Sequence, residues 1–215
     1  MKQINKNQVK ILLLSGIHGD EFEVILSVKK YIKNKGNKLP PYIYIPEVSP
    51  SAVAQKKRNN KYGNDLNRSF LDCSTDKEIV ALKHKIAGIT FSTVFTFHED
   101  CDRKDEFYMY TSQNINPQIF LKLKKQLNTI NISLFNGIDD PADPVLNNQI
   151  NNGLLVSPIE KEGKGTLWPW LQKNNNVNYC IDFEIPGKAT QQKKNKLVQI
   201  LFDFLISKYS NLFLS

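Results

Sequence analysis

Along this chain the spacing of apolar positions switches repeatedly between a period of two and a period near 3.6, and each switch marks a change of element. Residues 9–15 form a short apolar run stopped by Gly16, as expected of an interior strand. Over residues 21–33, Phe22, Ile25, Leu26, Val28, Tyr31 and Ile32 return at helical spacing and predict an amphipathic helix. Gly36 and the Pro40–Pro41 pair punctuate it, and residues 42–45 predict the next strand. Residues 47–67 are polar and show little period; so long a loop in a compact domain is usually functional or disordered.

Thr75 suits the N-cap of a helix running to Ala87, with Glu78 at the capping-box position. Residues 91–97, rich in β-branched and aromatic side chains, predict a strand that ends at His98, and residues 107–110 predict another. Asn116 and Pro117 open a helix to about Asn128. Residues 151–156 are weakly patterned, and residues 166–173 suit a short helix after Gly163 and Gly165. A strand over residues 179–185 is stopped by Pro186–Gly187. A closing helix over residues 190–209 turns Leu197, Ile200, Leu201, Phe204, Leu205 and Ile206 inward.

Strands alternating with helices predict an α/β sandwich around a largely parallel sheet. Ligands in such sheets bind where strands meet loops at their carboxyl ends. Three candidates for chemistry fall there: His18 with Glu21, His98, and Glu184.

Composition narrows the class. With 215 residues and 40% hydrophobic side chains the chain suits a single catalytic domain over residues 1–215. It has no solenoid repeat and no run of the ~18 apolar residues a membrane helix requires, so no membrane partner is expected. The formal charge of +8 is spread over isolated Lys–Lys pairs with no aromatic-interleaved motif, which disfavours nucleic acid as a partner and favours encounter with small acidic substrates. Cys73, Cys101 and Cys180 are odd in number and match no zinc spacing, as expected in a reducing compartment. Lys2, Lys6 and Lys10 precede the first apolar run as in a signal peptide. That run passes into His18–Glu21 without a small-residue cleavage site, and a cytoplasmic protein is expected.

A strand-to-helix turn can aim residues i and i+3 at one point, and Gly16 and Gly19 let the backbone make it around His18 and Glu21. Imidazole nitrogen and carboxylate oxygen are both good zinc ligands. The same acids also suit a helix N-terminus, where they favour its dipole. His98 completes a His₂Glu set that leaves a fourth position open, whereas His84 lies between Lys83 and Lys85 as a surface residue. Arg58 and Arg68 are either solvated or enter the site, one to polarise a carbonyl and the other to grip a carboxylate by its planar fork. Asp65 can hold the non-ligating nitrogen of a metal-bound histidine. Glu184, among apolar neighbours at a strand end, is either an edge acid facing water or, if buried, a base with a raised pKa.

In these segments, from about Leu13 to Gly187, the chain resembles the zinc carboxypeptidase family, in particular its small bacterial murein-peptide amidase branch. Gly16–Glu21 is similar to the segment bearing the family's first two metal ligands, His18 and Glu21, and Phe97–His98–Glu99 to its third. Asp65–Phe70 resembles the segment whose Asn–Arg pair, here Asn67 and Arg68, binds the substrate's terminal carboxylate. Arg58 falls where the family has its carbonyl-polarising arginine, and Glu184 matches the general base. The resemblance implies a three-layer α/β/α sandwich with a mixed, largely parallel sheet. It also implies one Zn²⁺ per chain and removal of a C-terminal residue from a carboxylate-ended peptide, a cell-wall peptide among the candidates.

The chain departs from the family at three places. Trp168 stands where digestive members have a mobile tyrosine, and Ser69 replaces a second asparagine. Glu99, Asp100, Asp102 and Asp105 make the stretch after His98 acidic, either as a solvated loop or as a receiver for a substrate amino group. The His18–Glu21 and Asp65–Arg68 segments also resemble the succinylglutamate desuccinylase and aspartoacylase deacylases. Those usually append a β-rich domain after the catalytic glutamate, where this chain predicts one helix. A deacylase of N-acyl amino acids is therefore the alternative, and a catalytically silent binding protein on the same fold a second one.

Overall fold

A computed structural model describes residues 11–141, 148–157 and 165–206. Lys2, Lys6, Lys10, Gly163 and the expected last turn at residues 207–209 lie outside the described residues. In chain order the strands are β1 (Ile11–Ser15), β2 (Tyr42–Ile45), β3 (Thr93–Asp100), β4 (Glu106–Thr111), β5 (Ser133–Leu134), β6 (Gly137–Ile138), β7 (Gln149–Ile150), β8 (Leu154–Val156) and β9 (Tyr179–Pro186). The helices are α1 (Phe22–Lys35), α2 (Pro50–Gln55), α3 (Lys77–Ile86), α4 (Pro117–Asn128), α5 (Leu167–Asn175) and α6 (Gln191–Phe204).

The main sheet has the order β2-β1-β3-β9-β4-β5, with β8 beside β4. β2, β1, β3 and β9 are mutually parallel, and β9 meets β4 antiparallel. β5 and β8 share the outer edge of β4, both parallel to it. β6 and β7 form a separate antiparallel ladder. The mixed, largely parallel sheet expected from the sequence is therefore present.

Strand side chains alternate between faces with a period of two, and both faces of this sheet are covered. Ile11, Leu13, Phe95, Phe97, Ile181, Phe183 and Ile185 point to one face, where they pack with residues of α1, α4 and α6 such as Val28, Leu123, Leu201 and Phe202. Leu12, Leu14, Val94 and Cys180 point to the other, against Ile79, Leu82 and Ile86 of α3 and Leu167 and Leu171 of α5. This two-sided burial makes β1 an unbroken apolar run, and it makes the molecule three layers, α/β/α. Each large apolar side chain so buried contributes about 1.5–3 kcal/mol.

Four local expectations are corrected. Leu26 is 52% exposed, and Val24 takes its place in the buried stripe of α1. Asp76, not Thr75, caps α3, because its Oδ1 accepts the amide protons of Glu78 and Ile79. In α6, Val198 and Phe202 are fully buried while Ile200 and Phe204 are only partly so; the stripe runs 194, 197, 198, 201, 202, 205. Residues 47–67 are ordered. They contain α2, and Asp76 Oδ2 accepts hydrogen bonds from Asn60 Nδ2 at 2.7 Å and Asn64 Nδ2 at 2.8 Å. Among the described residues no helix is long and apolar enough to cross a membrane.

Candidate active site

The turn after β1 is shaped by two glycines. Gly16 has φ of +63°, and a Cβ on Gly19 would lie 1.9 Å from the carbonyl oxygen of Ala52. The backbone thereby passes beneath α2, and Gly19 N–H donates to Lys57 O at 2.9 Å. This route delivers His18 and Glu21 to the carboxyl end of the sheet. Glu21 occupies the N-cap position of α1 but makes no side-chain cap. Its carboxylate lies between two imidazoles, accepting from His18 Nδ1 at 2.6 Å and from His98 Nδ1 at 2.9 Å. The free amide of Val24 in the first turn is taken instead by Glu99.

His98 comes from β3, where it is the registered neighbour of Glu184 on β9, and Glu184 is in turn opposite Tyr108 on β4. With a side-chain period of two, His98, Glu184 and Tyr108 form one row on the α3/α5 face, and Thr96, Asp182 and Tyr110 form the row before it. Glu99 points to the opposite face.

Ligand-type atoms of His18, Glu21 and His98 all lie within 4.8 Å of one another and are buried, the one such grouping among the described residues. Burial would lower the pKa of His18, but the Glu21 charge and the hydrogen bonds to Asp65 and Glu21 outweigh it and raise it to about 9. His98 likewise rises to about 9 against its burial, chiefly through the Glu21 charge. Glu21 falls to about 2 because the two histidines overcome the opposing effect of burial. The two protons that the imidazoles direct at Glu21 together carry the charge of one divalent cation. A His–Glu–His donor set that gathers this positive charge at one point fits such a cation with both rings neutral. Asp65 Oδ1 accepts from His18 Nε2 at 3.1 Å, which leaves Nδ1 as the nitrogen facing Glu21.

Asp65 is shared. Its Oδ2 accepts from Arg58 Nε at 3.1 Å, and its Oδ1 also accepts the Asn67 amide at 2.8 Å. Its carboxyl is held well below the usual range because the contacts with His18, Arg58 and the Asn67 amide outweigh burial. Ser69 closes the same turn by donating to Asp65 O at 2.7 Å. Arg68 stays beside α5, since Phe70 N–H donates to Gly165 O at 2.7 Å. His18, Glu21, Arg58, Asn67, Arg68, His98 and Glu184 all line one cavity of about 630 Å³, within the range of small-molecule sites. The structure thus brings together every site residue singled out in the sequence, with Asp65 directly behind His18. Burial, against a partial offset from His98, raises the Glu184 carboxyl well above the ordinary carboxylate range.

Trp168 also lines the cavity, and its Nε1 donates to Asp182 Oδ1 at 2.9 Å. The acidic stretch is largely engaged by neighbouring bases. Glu99 pairs with Lys194, Asp105 with Lys193, and Asp100 with Arg103, while Asp102 lies 3.7 Å from Lys188. Among the cavity residues that no sequence motif pointed to are Asp182, Tyr108 and Asp139. The strand period would have found Asp182, two positions before Glu184. Tyr108 needed the β4–β9 register, and no local pattern marks Asp139.

The fold and the cluster define a protein with the zinc-carboxypeptidase-like α/β architecture, bearing a His–Glu–His grouping at the carboxyl ends of its parallel strands. It is similar to proteins of two kinds. Residues 7–98 match the profile of the succinylglutamate desuccinylase/aspartoacylase catalytic domain. Among solved structures, a proposed metallopeptidase from Shewanella amazonensis superposes with a TM-score of 0.70 at 17% identity, covering 97% of this chain and 80% of that one. The murein-tripeptide amidase of Escherichia coli O157 gives 0.58 at 17% identity, covering 90% and 80%. A succinylglutamate desuccinylase from a Silicibacter species gives 0.55 at 14% identity, covering 97% of this chain and 60% of that one. No curated protein matches the chain significantly.

Proposed function

We propose that this chain is a zinc-dependent hydrolase of the metallocarboxypeptidase type, removing a C-terminal residue from a short peptide that ends in a free carboxylate. The observation that carries this is the convergence of His18, Glu21 and His98 beside Glu184, the registered neighbour of His98, in one cavity. His18, Glu21 and His98 would hold the metal, which when bound supplies Lewis acidity and lowers the pKa of a water molecule in contact with it.

The chain's own residues supply the rest. Glu184 has a carboxyl whose proton affinity is raised by burial, which suits a group that takes a proton from water and hands it to the leaving nitrogen. Arg58, at the cavity wall, donates to the oxygen of the scissile carbonyl as negative charge develops there. Asn67 and Arg68 hold the terminal carboxylate, and this restricts cleavage to the end of a peptide. A murein peptide is one substrate of the required form, as in the amidase with which the fold is shared. A second reading is favoured by the family match over residues 7–98: hydrolysis of an N-acyl amino acid by the same groups.

The test is a panel of murein tripeptides, ordinary short peptides and acyl-amino acids offered to zinc-loaded protein, with metal content measured alongside. About one zinc per chain is expected. Glu184→Gln keeps the metal while turnover falls by about 10²–10⁴-fold. Undiminished turnover in that variant sinks the base assignment, and a chain that binds no divalent metal sinks the hydrolase.

A further inference from the structure

Beyond the row of His98, Glu184 and Tyr108 the cavity continues to a pair of aspartates. Asp100 lies two residues past His98 on the same face of β3, level with Pro186 of β9. Asp139 enters from the residue after β6 and is buried. The Tyr108 hydroxyl lies between them, 2.9 Å from Asp100 Oδ2 and 3.2 Å from Asp139 Oδ1. A phenol has one proton, so it serves one of these carboxylates at a time.

The two acids are not equivalent. Asp100 is paired with Arg103 Nε at 3.3 Å, and its Oδ1 accepts the Asp102 amide at 2.8 Å. Asp139 makes no ion pair among the described residues. Its Oδ2 is buried with no hydrogen-bond partner among the described residues. Arg103, the nearby cation, leans over the Phe135 ring at 3.8 Å and pairs with Asp100 and Glu106. A buried carboxylate oxygen without a donor is costly unless something supplies one, and Asp139 is one of the residues that line the cavity.

We propose that Asp139, oriented by Tyr108, receives a primary ammonium group of the substrate. A single free oxygen suits one N–H donor better than a hard divalent cation, which takes six or more oxygens. The position in the cavity says which part of the substrate carries the amine. The backbone of Arg68 lies against Gly165, just ahead of α5, whose Trp168 donates to Asp182, two residues before Glu184. Asp100 stands level with Pro186, two residues beyond Glu184, so the rows of Asp182 and Asp100 are separated by roughly 13 Å along the strands. With a terminal carboxylate at Asn67–Arg68 the ammonium belongs to the acyl side of the scissile bond, the part retained after cleavage. The substrate class is therefore a short peptide with a free amino end, as opposed to a succinyl- or acetyl-amino acid. This rests on the hydrolase reading for the direction of binding.

The experiment uses di- and trialanine and their N-acetyl forms. Binding is measured by calorimetry on the full-length, zinc-loaded Glu184→Gln protein, and hydrolysis on the wild type. The free-amine form of at least one length is expected to bind at least about tenfold more tightly than its N-acetyl form. Adding Asp139→Asn, or the smaller Asp139→Ser should the amide disturb the loop, is expected to bring that ratio to within about twofold. Equal binding of both forms, no binding of either, or a preference that survives both substitutions overturns the assignment. The hydrolase reading is judged separately. Cleavage without amine preference leaves it standing and removes the Asp139 role, whereas amine preference without cleavage does the reverse.

Discussion

Asp65 shows how much one side chain can coordinate here. It accepts from His18 Nε2, from the Asn67 amide and from Arg58, and so ties a metal-ligand candidate, the proposed carboxylate grip and the proposed carbonyl-polarising cation into one unit. Its charge fixes which His18 nitrogen keeps its proton and raises the basicity of the other. Asp65→Ala is expected to weaken zinc binding by about 10–100-fold. Competition with a chromophoric chelator measures this directly, and an unchanged dissociation constant removes Asp65 from the metal's support. Arg58 is 47% exposed on its side chain and has Asp65 as its ion-pair partner. The same variant should therefore also raise KM through a wandering Arg58, an effect that Asp65→Asn only partly reproduces because the amide still accepts a hydrogen bond.

At the scale of elements the site is held from behind by Lys194 of α6, a lysine only 1% exposed. Its Nζ donates to Glu23 Oε2 at 2.5 Å and to Glu99 Oε2, while the other oxygen of Glu99 caps Val24 in the first turn of α1. One cation thus joins the end of β3, which bears His98, to the start of α1, which bears Glu21. Removing one partner of a buried pair leaves the other charge uncompensated, so Lys194→Met is expected to cost about 3–5 kcal/mol. Urea denaturation measures it, and adding Glu99→Gln should restore much of the loss. If the double variant is no more stable than the single one, the pairing is not what matters.

The elements themselves were legible because their patterns are local. β2 and α4 fall at the residues expected, the latter with Asn116 as cap. His98, Glu21 and Glu184 were legible because strand ends in a parallel sheet share one edge. What escaped depends on partners distant in sequence. Asp76 caps α3 because Asn60 and Asn64 occupy its other oxygen, Glu99 pairs with a lysine on the last helix, and Asp139 comes near the row only through Tyr108.

The whole molecule sets a positive surface against an acidic cavity. The chain carries a formal charge of +8, yet Glu21, Asp100, Asp139, Asp182 and Glu184 line the cavity, opposed there by Arg58, Arg68 and Arg103. Such an arrangement places unfavourable charge inside the fold, and Asp139 is where its effect on stability can be isolated. Burial raises the Asp139 pKa from 3.8 to about 6; the charges of Asp100 and Asp140 add to the rise, and the Tyr108 hydrogen bond and Arg103 oppose it. The folded chain therefore holds a proton between these two values that the unfolded chain has released. The stability this group contributes is present below about pH 4 and is lost as pH rises through about 6. Asp139→Asn imitates the protonated acid at every pH. It should match the wild type near pH 4 and exceed it increasingly up to pH 7, by on the order of 1–3 kcal/mol. Denaturation at a series of pH values reads the difference. A gap that stays constant with pH, or one that favours the wild type as pH rises, would show that Asp139 is not a strained, unneutralised acid in the ligand-free protein. The same strain makes an incoming ammonium group favourable, so a free-amine peptide should narrow the gap above pH 6 by stabilising the wild type more than the variant.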